Sequence, residues 1–334
     1  MIDGLFVFDH VIHVYDMDDA NLRADRPDAE SARVQLLESG RRARPPGYMA
    51  DVDFARRWTI EDVYEMVFVD APTDMAMAQV VPLFDWYEDL FSPISSQHAM
   101  AAAYPDRVLF CGGVDPLYRG LGDALDQLDH QVRELGARSI KFYNGHLPKS
   151  WSCDDEQLAY PLYERCRELG IDVLQFHKGT PIGLQDVESL RPVDLQRPAR
   201  DFPDMQFVVH HLALPYLDEL INIASRFQNI HVSLTGVFNY CLVAPRRVQE
   251  IVGRLLAEVG SERLLWGSEA ALLGSPGPYL DAFMALEIPD DLQDGYGYPP
   301  LTRDDRRLIL GENFARLMGI DPTAARARIE ENAA

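Results

Sequence analysis

No stretch of the chain approaches the ~18 consecutive apolar residues of a membrane-spanning helix, so no span is expected. Basic residues are scarce: 31 Lys and Arg stand against 53 Asp and Glu, a formal net charge of -22. So acidic a chain repels nucleic acid and anionic membrane surfaces, and neither is expected as a partner. The four cysteines, Cys111, Cys153, Cys166 and Cys241, show no CxxC spacing. That argues against a zinc–cysteine site and for reduced thiols. Neither GxGxxG nor a P-loop follows the first apolar run, so the usual nucleotide signatures of open sheets are missing. The opening MIDGLFVFDH lacks the basic segment of a signal peptide, and with reduced thiols this gives the expectation of a cytoplasmic protein.

What is present is a globular composition, 47% hydrophobic and 25% charged over 334 residues, enough to build one large core. No linker, repeat or low-complexity tract divides it, so residues 1–334 read as one domain. Short apolar runs bounded by turn residues mark strands at Leu5–Val14, Met66–Asp70, Val108–Val114, Ser139–Tyr143, Asp172–His177, Gln206–His210, Ile230–Thr235 and Arg263–Gly267. Between them, Leu121–Leu135, Asp155–Leu169, Tyr216–Phe227 and Arg246–Val259 repeat apolar residues at three- and four-residue steps, the pattern of amphipathic helices. Alternating strands and helices predict an α/β fold, and a single (β/α)8 TIM-type barrel is preferred to an open sheet. Histidines or an acid fall at the ends of the first, fifth, sixth and eighth strands, and only a closed ring brings those ends to one mouth. Residues 16–59, rich in Arg, Asp, Pro and Gly, read as a long irregular insertion after the first strand, a lid over that mouth.

His13 ends the first strand in FVFDHVIHVYD, where alternation sets Asp9, Val11 and His13 on one face and His10 on the other. His177 ends the fifth strand in DVLQFHKG, and Glu269 follows the eighth in LLWGSEA. His211 follows the sixth beside His210, and alternation lets only one of this pair point into the barrel. Two imidazoles and a carboxylate thus come within reach of one point, a donor set suited to Zn2+, Mn2+ or Fe2+. A third imidazole stands beside them to move protons near neutral pH.

With AYPDRVLFCGGVDP at 103–116, ELGARSIKFY at 134–143, VLQFHKGTP at 173–181, VVHHLALPYLDEL at 208–220, RLLWGSEA at 263–270 and ILGENFARLMGI at 309–320, the chain resembles the amidohydrolase-2 family. That group contains aminocarboxymuconate-semialdehyde and hydroxybenzoate decarboxylases, hydratases and ring-cleavage-product hydrolases. The resemblance implies one divalent metal, Zn2+ first, held by His13, His177 and Glu269, with His211 as the acid or base beside it. It also implies a homo-oligomer, a dimer in the family. Two departures stand out. Val11 occupies the position of the first histidine of the family's HxH pair, and Glu269 replaces the usual aspartate, as in the hydratase and hydrolase members.

Substrate contacts are expected from Lys141 on the fourth strand, since an unpaired buried lysine is costly, and from His146 in the loop after it. Arg56 and Arg57, in the insertion with Arg41, Arg42 and Arg44, supply guanidinium groups of the kind that grip carboxylates. The expected activity is decarboxylation, hydrolysis or hydration of a small carboxylic acid from aromatic-ring degradation. A metal-independent, lactonase-like hydrolase and an inactive binding or scaffold barrel are the alternatives that Val11 keeps open.

Overall fold

The structure, a computed structural model, describes residues 2–45, 54–147 and 149–333. Eight parallel strands form one sheet in chain order: β1 (Phe8–Ile12), β2 (Met75–Gln79), β3 (Val108–Gly113), β4 (Ser139–Tyr143), β5 (Val173–His177), β6 (Gln206–Val209), β7 (Ile230–Ser233) and β8 (Leu264–Leu265). The chain running on from β8 returns to β1. His10 N–H donates to the Trp266 carbonyl, Glu269 N–H to that of Val11 and His13 N–H to that of Ala270, at 3.2, 3.1 and 2.7 Å. The ring is a (β/α)8 barrel, as expected.

The second strand is not where the apolar run suggested. Residues Met66–Asp70 carry a helix on from Ile60–Tyr64 to Val69. Thr59 caps it: its side chain accepts from Asp62 N–H, and Asp62 accepts from Thr59 N–H. This reciprocal cap fixes the first turn, and the following apolar residues extend it. The true strand, MAMAQ, is made of residues with little strand preference. A short apolar run alone does not separate helix from strand.

The insertion is less irregular than its composition suggests. Ala29–Ala43 is a 15-residue helix that buries Ala29, Ala32, Leu36, Gly40 and Ala43 on one side. The part of the 16–59 segment from 46 to 53 lies outside the described residues.

The helices outside the ring follow the expected periodicity. Pro245–Glu258 buries Val248, Ile251, Val252 and Leu255, one stripe at steps of three and four. Each such side chain contributes about 1.5–3 kcal/mol of burial. Within the ring, character changes with height. Phe6, Phe8, Met75, Met77, Val173, Val208 and Leu265 close the lower end against Phe314. Two residues further along the strands stand His10, Gln79, Gln175 and His210, all buried. All four cysteines are free and buried, and burial pushes the Cys111 and Cys241 thiols up to about 12.

Candidate active site

A cavity of about 270 Å³ opens at the C-terminal end of the barrel. His177, His211 and Glu269 line it at the ends of β5, β6 and β8, and Tyr15, Phe91 and Tyr143 give it aromatic walls. The helix Ala29–Ala43 contributes Leu36, Ser39, Gly40 and Ala43.

Alternation alone misplaces two histidines. The β1–β2 register slips between Asp9 and Ile12, where three steps on β1 match two on β2. This bulge turns His10 inward as well as His13: His10 Nδ1 meets Gln175 Oε1 at 3.2 Å and Nε2 meets Ser233 Oγ at 2.7 Å. His10 therefore does not face away, and it does not fill in for Val11 at the mouth. At β6 the chain leaves strand geometry: His211, Leu212 and Ala213 have φ of 57, 52 and 48°. Both members of the His210–His211 pair consequently point inward. His210 bonds to Gln175 and Lys141 below, at 2.8 and 2.6 Å, while His211 faces the cavity. Thr180 and Glu269, also at the cavity wall, are left-handed too, at 45 and 63°. Costly backbone of this kind persists where surrounding structure enforces it, often at functional sites. Here Thr180 N–H holds the Leu214 carbonyl at 2.7 Å. Gly179 passes so close that a Cβ there would sit 2.3 Å from the Ala213 carbonyl carbon.

The side chains fall into two pairs. Glu269 Oε1 lies 3.5 Å from His13 Nε2 and accepts from the Tyr15 hydroxyl at 3.0 Å. His211 Nε2 lies 3.1 Å from His177 Nδ1. The remaining nitrogens fix the tautomers by their partners. His13 Nδ1 faces the Gln79 carbonyl at 2.7 Å, His211 Nδ1 the Thr235 carbonyl at 3.1 Å, and His177 Nε2 the Thr180 carbonyl at 3.2 Å. A carbonyl only accepts, so each of these nitrogens carries its hydrogen. His177 and His211, as neutral rings, then turn lone pairs to each other, whereas His13 Nε2 faces an acceptor, the Glu269 carboxylate.

Electrostatics keep the His177–His211 pair and Glu269 unprotonated. Burial, then the neighbouring charges of His211 and Lys141, lower the His177 pKa well below the usual value. Burial lowers that of His211 to about 4, with Glu269 opposing and Lys141 adding to the shift. Burial would raise the Glu269 carboxyl, but His13, His211 and Lys141 together hold it well below the usual range. Lys141, two residues below Tyr143, is fully enclosed, and burial lowers its amine to about 7.

Beneath the cavity one amide ties these parts together. Gln175 Oε1 accepts from His10 Nδ1, His210 Nε2 and Gln79 Nε2, and Gln79 supplies the carbonyl that orients His13. Side chains from β1, β2, β5 and β6 meet one oxygen, which is possible only inside the ring. Sequence reasoning missed Gln175, Gln79 and Tyr15. Two-residue spacing back from His177 into an otherwise apolar strand was the signal for Gln175.

The remaining expected contacts lie elsewhere. Lys141 does not line the cavity; it donates to His210 from below. His146 is clamped between Asp85 and Asp115, both at 2.7 Å, with its ring stacked on Phe84. Neither ring nitrogen is left for a substrate. Arg56 pairs with Asp62 and lies over Trp58, and Arg57 pairs with Asp16. Both are exposed, and neither lines the cavity.

For a divalent cation the donors fit in kind. His177 Nδ1 and His211 Nε2 carry lone pairs, His13 Nε2 is turned to Glu269, and the buried Glu269 Oε2 has no hydrogen-bond partner. As they stand they are divided: among the described residues no group of three or more His, Cys, Asp and Glu is already gathered around one point, and an ion would have to draw the two pairs together. The two pairs, rather than His13, His177 and Glu269 around one point, are what the fold presents.

A (β/α)8 barrel with histidines and a carboxylate at the C-terminal mouth defines the class: a barrel of the enzyme type, whose active sites lie at that end. The chain belongs to the amidohydrolase family, whose model matches residues 10–320. Solved structures share the fold. An uncharacterised TIM-barrel protein from Bordetella bronchiseptica is 22% identical, with 94% of this chain and 99% of that one covered and a TM-score of 0.70. A 2,6-dihydroxybenzoate decarboxylase complexed with 2,6-dihydroxybenzoate is 15% identical, with coverage of 95% and 99% and a TM-score of 0.61. An amidohydrolase from Burkholderia multivorans with bound zinc is 13% identical, with coverage of 81% and 92% and a TM-score of 0.55. At such identities the likeness carries the fold alone. The curated proteins contain no match. Among the described residues no helix is long and apolar enough to cross a membrane.

Proposed function

We propose that the protein is an amidohydrolase-family enzyme that makes or breaks a C–C or C–O bond in a small carboxylic acid, with His211 moving the proton. The observation that carries this is the His177–His211 contact at the cavity floor. Two imidazole lone pairs 3.1 Å apart repel one another, and a proton taken up from a bound group relieves that repulsion, so the neutral pair is arranged to accept one. His211 fits the part because it lines the cavity, stays neutral and is held by the Thr235 carbonyl at its other nitrogen. Its Nε2 is then the atom that takes a proton from, or returns one to, a group bound above it. Glu269 stays ionised, and Tyr15 fixes one of its oxygens.

Decarboxylation is an activity of the decarboxylases this chain resembles in fold, while hydration or hydrolysis is favoured by Glu269 in place of aspartate. Aromatic walls suit a flat unsaturated or aromatic acid. The proposal includes one divalent cation, Zn2+ ahead of Mn2+ or Fe2+, on donor chemistry alone; when bound, such an ion polarises an oxygen or acidifies water. No step above depends on it. The test is turnover of a panel of hydroxybenzoates and unsaturated dicarboxylates by the wild type and by His211→Asn. Turnover that survives the substitution removes His211 from the chemistry.

A further inference from the structure

The cavity wall carries two charged side chains among the described residues, Glu269 and Arg247. They stand at different depths. Glu269, with His177 and His211, is at the enclosed floor, whereas Arg247 is exposed to solvent at the rim. Arg247 belongs to the first turn of the helix Pro245–Glu258. Its guanidinium lies over the ring of Tyr240, 4.9 Å from the centroid, and Tyr240 lines the cavity as well.

This arginine differs from its neighbours. Arg246 is paired with Glu250 and Asp291, and Arg254 with Glu258 and Asp218. Arg247 forms no ion pair with any acid among the described residues, in a chain of 53 acidic residues. Its position also works against the helix, whose N-terminal end already carries positive partial charge. A cation there, steadied by an aromatic face and turned to a cavity, is arranged for an anion arriving from outside.

The floor sets the complementary condition. Glu269 is itself an acid and its Oε1 already accepts from the Tyr15 hydroxyl, so the protein side chains there offer a carboxylate no counterpart to the guanidinium at the rim. Between the two ends the walls are apolar, with Leu36, Phe91, Val237 and Leu272 among them.

On the reading of this cavity as the site of a small-acid enzyme, we propose that Arg247 holds a carboxylate that the reaction leaves intact. The substrate class is then an acid with an apolar, unsaturated or aromatic body whose reacting group lies away from the bound carboxylate, toward His211. A monocarboxylate whose single acid group is the one removed does not belong to it.

Calorimetric titration of wild type, Arg247→Met, Arg247→Lys and His211→Asn with benzoate, isophthalate and benzamide tests this. Arg247 is exposed, so its variants are expected to fold, and circular dichroism verifies that. Both acids should bind the wild type, lose about 10- to 100-fold in affinity in Arg247→Met and recover part of it in Arg247→Lys. Benzamide should bind wild type and Arg247→Met alike. Equal affinity of the acids for wild type and Arg247→Met overturns the assignment while leaving the small-acid reading in place. So does a loss in His211→Asn without one in Arg247→Met, which moves the carboxylate to the floor. Failure of either acid to bind the wild type at millimolar concentration overturns the small-acid reading itself.

Discussion

His211 Nε2 and His177 Nδ1 face each other at 3.1 Å while the other nitrogen of each ring is committed to a backbone carbonyl. The pair is thus set to receive something positive; both rings line the cavity, and His211 is the member assigned the proton transfer. His211→Asn should keep the fold and lower kcat by about 10²–10⁴-fold on whichever acid is turned over. His210→Asn should act mainly on stability, because His210 bridges Lys141 and Gln175 inside the ring. Thermal unfolding and steady-state kinetics of both variants measure this, and an exchange of phenotypes would falsify the assignment.

Gln175 should matter to both pairs without touching either. Gln175→Leu removes the acceptor for His10, His210 and Gln79. Each buried donor left unmet costs about 1–3 kcal/mol. Urea unfolding should show a loss of several kcal/mol, and Gln175→Glu should fare no better than partial rescue. A variant as stable as wild type would mean the amide is not the hub its contacts indicate.

Metal content is measured by elemental analysis of purified protein after exposure to Zn2+ or Mn2+. Wild type is expected to hold an ion near stoichiometry, and His177→Ala to hold almost none, since two remaining ligands bind one weakly. Wild-type protein that takes up no ion while remaining folded supports the metal-independent alternative instead.

His146 predicts a pH dependence unconnected with turnover. Burial disfavours its charge, but the Asp115 and Asp85 carboxylates outweigh that and raise its pKa to about 10. The folded value lies above the ordinary ~6.5. The stabilisation is therefore complete below that value and disappears as pH rises toward 10. Urea midpoints should fall across this window in wild type and change less in His146→Gln. Removing the ring leaves two buried carboxylates without a counter-charge, a loss of about 3–5 kcal/mol. Parallel pH profiles for the two proteins would count against the clamp.

Much of this was legible in the sequence, and the reasons for the rest are local. Seven of the eight strands follow from apolar runs with turn residues at their ends. The run at Met66–Asp70 misleads because the Thr59–Asp62 cap decides its conformation and Met75–Gln79 has the composition of a helix. His13, His177, His211 and Glu269 were identifiable as residues ending strands. Their partnership was not, because period-two reasoning assumes regular strands. A bulge in β1 and left-handed backbone at His211 break that assumption where the site is built. His146 was indistinguishable from a substrate contact because Asp85 and Asp115 lie 61 and 31 residues away in the chain. Nothing in the sequence separates Arg247 from Arg246 beside it; only the cavity does.

The four enclosed thiols have a practical consequence. Cys111 sits inside the ring, Cys153 and Cys166 lie beneath the outer helices, and Cys241 lies beside the loop after β7. A thiol reagent in solution reacts with a thiolate it can reach, and the folded protein offers it none of these four in that state. Labelling therefore proceeds only at the rate at which each region opens. The untagged wild-type chain carries its own set of clocks, one at the centre of the barrel and three around it. Mass spectrometry of partly labelled protein would show whether the mouth beside Cys241 opens before the ring around Cys111 does.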